Sequence, residues 1–353
     1  MFVELNVPLL HDLESQLALR RDQYSDFGTS WNPKAALRWQ PTKSLLMRAS
    51  IGRGFRAPTL PELYTARSTG LGQIDPPGDP VRCPVTHLDS DCNPVVTEAS
   101  GGNPQLRPVH STQGSAGIVL EPTPNWNVSI DYWTIRLRDD IGSLNLSTIF
   151  NDLPAYEGKN VFRGPADPAF PGLPGPIIRI ETYNQNLGQT RTSGFDVGAG
   201  YRSDPSGFGR LSARLDGTLV TQWGEQLDGA SFVSGLGADI NGPVIPRWRH
   251  SLSLGWERGP YVVTIGQTFQ SGYTDQNRLP DGSTRRVASY TLWDLQLAFA
   301  ATPDLSLRLG VRNLFDRDPP FTNQSDSFQV GYDPGYADPR GRFWYATVSL
   351  RFR

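Results

Sequence analysis

The sequence predicts an all-β protein: an antiparallel transmembrane β-barrel, incomplete, with about 13 strands of a larger barrel. Three observations lead there. Strand-like stretches are joined in pairs by a few residues near Pro8–Glu14, Gln40–Lys43, Glu121–Pro124, Ser203–Gly207, Arg258–Pro260 and Ala301–Asp304, whereas most intervening connections are long. Tight turns at one rim and elaborate loops at the other are the layout of an outer-membrane barrel. Within the stretches apolar and polar residues alternate with period two, as a wall between lipid and water requires. Tryptophans also share faces: Trp31 and Trp39 bracket Ala35 and Leu37, and Trp248 and Trp256 bracket Leu252 and Leu254. Eight residues span roughly 26 Å of strand, or about 20 Å of height at a tilt near 40°, close to the apolar band between aromatic girdles.

The elements follow in order. A first strand over 2–7 puts Val3, Leu5 and Val7 on one face and Phe2, Glu4 and Asn6 on the other. Strands over 14–24 and 31–40 precede 44–52, where Leu45, Met47, Ala49 and Ile51 oppose Leu46, Arg48 and Ser50. The next are 110–121, 125–137, 189–202 and 208–223; Gly194, Gly198 and Gly200 relieve crowding on a curved strand. Over 247–257, Leu252, Leu254 and Trp256 alternate with Ser251, Ser253 and Gly255. After 261–270, the strand over 288–300 sets Trp293, Leu295, Leu297 and Phe299 against Asp294, Gln296 and Ala298. Over 304–313, Leu305, Leu307, Leu309 and Val311 alternate with Ser306, Arg308, Gly310 and Arg312, and 342–352 closes the series. The long connections, Arg53–Val109, Asp139–Gly188, Gly224–Ile245, Ser271–Val287 and Asp316–Arg340, read as irregular outer loops.

Composition agrees. Among 353 residues, Gly 36, Pro 30 and aromatics at 10% with only 19% charged residues suit strands and turns. Hydrophobic residues are 37%, and no run approaches the roughly 20 apolar residues of a spanning helix, a test that barrels escape. A net charge of −2 gives no bulk basic surface for nucleic acid. Cys83 and Cys92 read as a disulfide in an oxidising compartment; the rival zinc reading, with His87 between them, lacks a fourth ligand. Met1–Leu10 already reads as strand and has no signal-peptide pattern, which points to a fragment or a misplaced start. The odd strand number and the two open edges, costly in lipid, point the same way.

Several segments resemble the C-terminal barrel of TonB-dependent outer-membrane receptors. Gly54-Phe55-Arg56-Ala57-Pro58, continuing to Glu62, Leu63 and Tyr64, looks like a hallmark of that family. Asn103-Pro104-Gln105-Leu106-Arg107-Pro108 is similar to its NPxLxPE motif, with Val109 in place of glutamate. Asn186-Leu187-Gly188 with Thr192 and Gly194 resembles its N-x-G…T-x-G segment, and Asn313-Leu314-Phe315-Asp316 its NLFD. The closing strand is similar too, with Phe352 as the aromatic read by the barrel-assembly machinery. The resemblance spans residues 1–353 as a C-terminal barrel portion, without the plug domain and TonB box that the family carries ahead of it. It implies a Gram-negative outer-membrane receptor, embedded in lipid, that takes up a scarce large solute of the siderophore, cobalamin, oligosaccharide or peptide class. In that family the solute binds outer loops and plug, and the TonB complex moves the plug. A passive porin-like channel is the alternative, and a soluble β protein such as a propeller is a third reading.

Pro58 and Pro61 would end the preceding strand, and Arg56 could pair with Glu62 at the outer rim, so ordinary loop architecture competes with ligand contact. No enzyme, nucleotide or cofactor motif is found, so neither catalysis nor a cofactor is expected. Asp75, Asp79, Asp89 and Asp91 in the first loop and Asp326, Asp333 and Asp338 in the last could hold calcium, though the spacing matches no EF-hand and solvated acids are the plainer reading. Tyr156, Phe170, Phe321, Tyr332 and Tyr336 are loop aromatics that could stack on a solute or simply pack. Arg48, Arg214, Arg308 and Arg312 would line the lumen or touch a plug.

Overall fold

The computed structural model describes residues 1–25, 27–73, 78–144, 146–226, 232–240, 244–325 and 331–352. Asp75 and Asp326, two of the candidate acids, and Arg353 lie outside the described residues. Thirteen strands form one antiparallel sheet in simple up-and-down order. They are β1 (Phe2–Leu10), β2 (Leu13–Tyr24), β3 (Gly28–Thr42), β4 (Leu45–Arg56), β5 (Val109–Thr123), β6 (Trp126–Gly142) and β7 (Gln185–Arg202). Then come β8 (Arg210–Gln226), β9 (Trp248–Arg258), β10 (Tyr261–Gln270), β11 (Tyr290–Ala300), β12 (Leu305–Arg312) and β13 (Phe343–Leu350). The sheet does not close, and β1 and β13 are its edges. Among the described residues no helix is long and apolar enough to cross a membrane, which says nothing of a β-barrel.

Register carries the alternation across the wall. Leu211, Trp256, Val263, Leu297, Leu309 and Ala346 are paired partner to partner over six strands. A one-residue slip would turn that apolar row into the lumen, so register is strongly set. Trp39 donates to Asp12 at 3.1 Å and Trp256 to the Phe208 carbonyl at 2.9 Å, both acceptors in short-turn segments. The indole body thus stays on the apolar face while its N–H reaches the wet rim. Gly194 is explained by crowding: a Cβ there would stand 2.4 Å from the Leu219 carbonyl oxygen and 2.8 Å from the Trp133 ring. At the C-terminal end β13 stops at Leu350, two residues short of the expected limit, and Phe352 is 85% exposed beyond it.

Among the described residues, most buried apolar side chains are in the connections and few are on the wall strands. Far from irregular, the loops after β4 and β6 share a four-stranded sheet made of Ser68–Gln73, Val95–Ser100, Ile177–Glu181 and Val161–Arg163. Val96, Ile149, Leu153, Tyr156, Val161 and Ile180 pack beneath it. A second lobe joins the loops after β10 and β12 around Tyr273, Val287, Tyr290, Tyr336 and Ala337. Segments with turn-rich composition still bury apolar surface once two of them meet.

Candidate functional site

Three motif segments far apart in sequence converge at the outer rim. The Gly54–Pro58 run leaves β4 and enters a short helix, Leu60–Tyr64, capped by Thr59. The Glu62 amide donates to the Thr59 hydroxyl at 3.3 Å, and the Thr59 amide donates to the Glu62 carboxylate at 2.6 Å, a capping box. Arg56 donates to both Glu62 oxygens at 3.0 Å. Burial pushes the Glu62 carboxyl up, but the bonds from Thr59 and Arg56 outweigh it and hold it below its ordinary value. Asn184 donates to the Glu62 carbonyl at 3.1 Å and Asn103 to the Asn184 carbonyl at 2.9 Å. Asn186 donates to the Arg107 and Asp139 carbonyls, both at 2.8 Å. Gly102 must be glycine, because a Cβ would meet the Leu63 carbonyl oxygen at 2.6 Å. These residues therefore brace the mouth by side-chain bonds to backbone groups; Leu63 is buried whereas Tyr64 is exposed.

Asn313 and Asp316 act alike at the last loop. Both adopt positive φ, at 50° and 55°. The Asn313 amide donates to the Arg317 carbonyl at 2.9 Å and its oxygen accepts from the Arg317 N–H at 2.7 Å. Asp316 accepts from the Arg342 N–H at 2.7 Å, while Phe315 projects into solvent. Asn313→Ala is expected to cost about 2–3 kcal/mol from two lost bonds and the strained φ, and Asn313→Gly less. Chemical unfolding of the folded receptor checks this; equal losses for both would contradict the backbone argument.

The first lobe is held by a covalent and ionic knot. Cys83 and Cys92 are joined as a disulfide, with Cα atoms 4.8 Å apart. Beside them Arg82 pairs with Asp91 at 3.0 Å and donates to the Pro174 carbonyl at 2.8 Å. Arg163 pairs with Asp79 at 2.6 Å and also with Glu157. Asp79 and Asp91, considered above as calcium ligands, are thus committed to arginines. Burial pushes the Asp91 carboxyl up, yet bonds from Arg82 and Thr86 and the Arg82 charge hold it below the ordinary range. In the second lobe Asp275 accepts from the Thr322 hydroxyl at 2.5 Å, and burial pushes the Tyr336 phenol up to about 12.

The aromatic candidates divide. Tyr156 and Tyr336, at 5% and 7% exposure, are packed in lobe cores, and Phe170 is half-buried beside Arg82. Packing accounts for these three. Tyr332 is half-buried; Phe321 is exposed with the Arg285 guanidinium 4.3 Å from its centroid. Sequence reading missed such stacks: Arg67 over Tyr183, which joins the loops after β4 and β6, and Arg179 over Phe162 on paired strands within the latter, each at 4.4 Å. Below the lobes, the inner face is polar. Arg48 reaches Asp131 with two bonds of 2.7 Å, Arg214 pairs with Asp216 at 2.6 Å, and Thr218 donates to Asp196 at 2.7 Å. Arg48, Asp131, Asp196, Asp216 and Thr218 line a concavity of about 950 Å³ with Arg249 and Ser251. Arg312 lies over Tyr345 at 5.8 Å. The arrangement sets two packed loop lobes above a charged, hydrogen-bonding inner wall.

The sequence matches the family described as TonB dependent receptor-like, beta-barrel, over residues 1–314. It is 23% identical to the ferric enterobactin receptor PirA of Pseudomonas aeruginosa over all of this chain and 41% of that protein. Among solved structures, the siderophore receptor PirA from Acinetobacter baumannii superposes with a TM-score of 0.70 at 17% identity, over 99% of this chain and 45% of that one. The FrpB iron transporter from Neisseria meningitidis gives a TM-score of 0.60 at 12% identity, over 99% and 44%. The chain spans less than half the length of these relatives. Such receptors are Gram-negative outer-membrane proteins and not enzymes, and the 13-stranded open sheet is a partial barrel of their kind. By its sequence match and its sheet, the chain belongs to the TonB-dependent receptor β-barrel family.

Proposed function

We propose that this chain forms part of the barrel of a receptor that takes up a ferric siderophore across the outer membrane, energised through TonB. The observation that carries the reading is the full-chain relationship to a ferric enterobactin receptor, seconded by fold likeness to a siderophore receptor. Each lobe pairs an exposed group with a half-buried one, Arg67 with Tyr183 and Phe321 with Arg285, and such arginine–aromatic pairs suit an anionic, aromatic-bearing chelate. Residues 1–353 act here as a C-terminal barrel portion, and the plug-mediated coupling to TonB belongs to the whole receptor.

The test is uptake of radioactive iron, presented on a panel of siderophores, by cells expressing the receptor from its native gene. One siderophore is expected to be accumulated, and collapse of the proton gradient is expected to abolish it. Accumulation that survives the uncoupler would indicate a passive channel and overturn the proposal. Import of cobalamin or an oligosaccharide without iron would overturn the substrate class.

A further inference from the structure

We propose that the short-turn end of the inner wall carries an anion-binding recess, an exit station that draws a negatively charged solute out of the lumen toward the periplasm. The inference rests on the anionic chelate put forward above as the solute. The recess is a concavity of about 570 Å³ over β7, β8 and β9, just inside the short turns. Register shows how it is built. Three rows step down the wall: Gly198–Asp216–Ser251, Gly200–Arg214–Ser253 and Arg202–Ser212–Gly255. Arg210, opposite Glu257, ends the ladder at the rim. Parity gives these residues the lumen face, because the pairs Ala213 with Leu254 and Leu215 with Leu252 hold the other. Successive rows are about 7 Å apart along the strands. Glycine keeps the floor low. A Cβ at Gly200 would stand 2.6 Å from the Asn127 amide oxygen, and one at Gly255 would stand 2.4 Å from the Ser212 hydroxyl. Those polar groups therefore lie close against the wall and leave the space above it open.

Charge changes sign down this ladder. The larger concavity above is lined by two arginines, Arg48 and Arg249, and three aspartates, Asp131, Asp196 and Asp216. The recess is lined by three arginines, Arg202, Arg210 and Arg214, and one carboxylate, Glu257. Asp216, one row up, takes Arg214 at 2.6 Å. Glu257 reaches Arg202 only at 3.8 Å. Among the described residues no hydrogen bond or ion pair engages the side chain of Arg210. Asp204, in the adjoining turn, accepts instead from Asn125 at 3.4 Å. One guanidinium is thus without a counter-ion, and a second holds its own loosely. The surplus positive charge lies at the end where a solute has to leave, so an anion in the upper concavity is drawn down a potential toward the periplasm. Planar guanidiniums suit the carboxylate or phenolate oxygens of a chelate. The Arg202 side chain is 64% exposed, so the site stays hydrated and weak, as a station that releases its cargo requires.

The test uses the full-length receptor in cells, with radioactive iron on those siderophores of the panel whose ferric complexes are anionic. For the complex that the wild type accumulates, Arg202→Gln combined with Arg210→Gln is expected to lower the maximal uptake rate roughly tenfold. Binding to chilled cells, which stops short of transport, is expected to be unchanged. The paired lysine substitutions should keep most of the rate. Heat-dependent gel mobility reports folding, and Arg210→Gln alone, which breaks no ion pair, gives the reading should the double variant not fold. If the wild type accumulates no anionic ferric complex, the recess falls together with the uptake reading. If it does and the folded glutamine variant imports at the same rate, the recess alone is wrong. A loss of binding to chilled cells as large as the loss of rate would assign these arginines to outer recognition. TonB-independent leakage of a bulky antibiotic through the variant would assign them to holding the plug. Either result overturns the proposal.

Discussion

Leu252→Arg in the assembled receptor is expected to lower stability by about 2–4 kcal/mol, whereas Ser253→Arg, one residue along, should cost far less. Leu252 pairs with Leu215 and lies between Trp248 and Trp256 on the apolar face, near the middle of the belt. An arginine there leaves water and pulls polar material into hydrocarbon. Ser253 pairs with Arg214 on the lumen side, where a cation remains hydrated and Asp216 is close to that partner. Leu307→Arg and Ser306→Arg repeat the contrast on β12, where Leu307 pairs with Phe299 and Val348. Reversible folding into bilayers, followed by denaturant titration, gives the four values. Equal losses for the two members of either pair would mean that the assigned facing is wrong.

Asp91→Asn is expected to open the first lobe while the wall stays folded. Arg82 and Asp91 are each only 2% exposed, so removing the carboxylate leaves a buried guanidinium with the Pro174 carbonyl and the more distant Asp167, a change worth about 3 kcal/mol. Such a loss is taken up locally, since the lobe is a separate packed unit on the sheet. Hydrogen exchange should quicken over residues 79–100 and 161–181 and stay slow in β6 and β7. Acid should act the same way. The folded Asp91 value is depressed, so the open lobe binds this proton at a higher pH than the closed one. The contribution is therefore complete above about pH 4 and fades as pH falls through the lower folded value. Lobe protection that is unchanged in Asp91→Asn, or flat in acid, would contradict the role given to this pair.

What could be read in the sequence followed from period and position. The alternation in Ser44–Gly52 and Leu305–Arg312 is set by one residue after another, and it located the wall strands to within a few residues. The Arg56–Glu62 pair was likewise foreseeable, being six residues apart across two prolines. The loop interiors were not, because their partners are remote: Arg163 meets Asp79 across 84 residues, and Asn184 meets Glu62 across 122. Tyr156 looked available for a solute and Tyr336 did too, but contact between loops buries both.

By itself, the sequence determined a lipid-facing wall, since alternate side chains must part between hydrocarbon and water wherever a strand crosses a bilayer. It also marked the rim motifs, through residues such as Asn313, at positive φ, and Pro58, which cannot donate a ladder hydrogen bond. Only the tertiary structure decided which carboxylates the arginines would take and which would be left with none. Register and loop packing bring those groups together, and electrostatic pairing depends on distance in space and not on order along the chain.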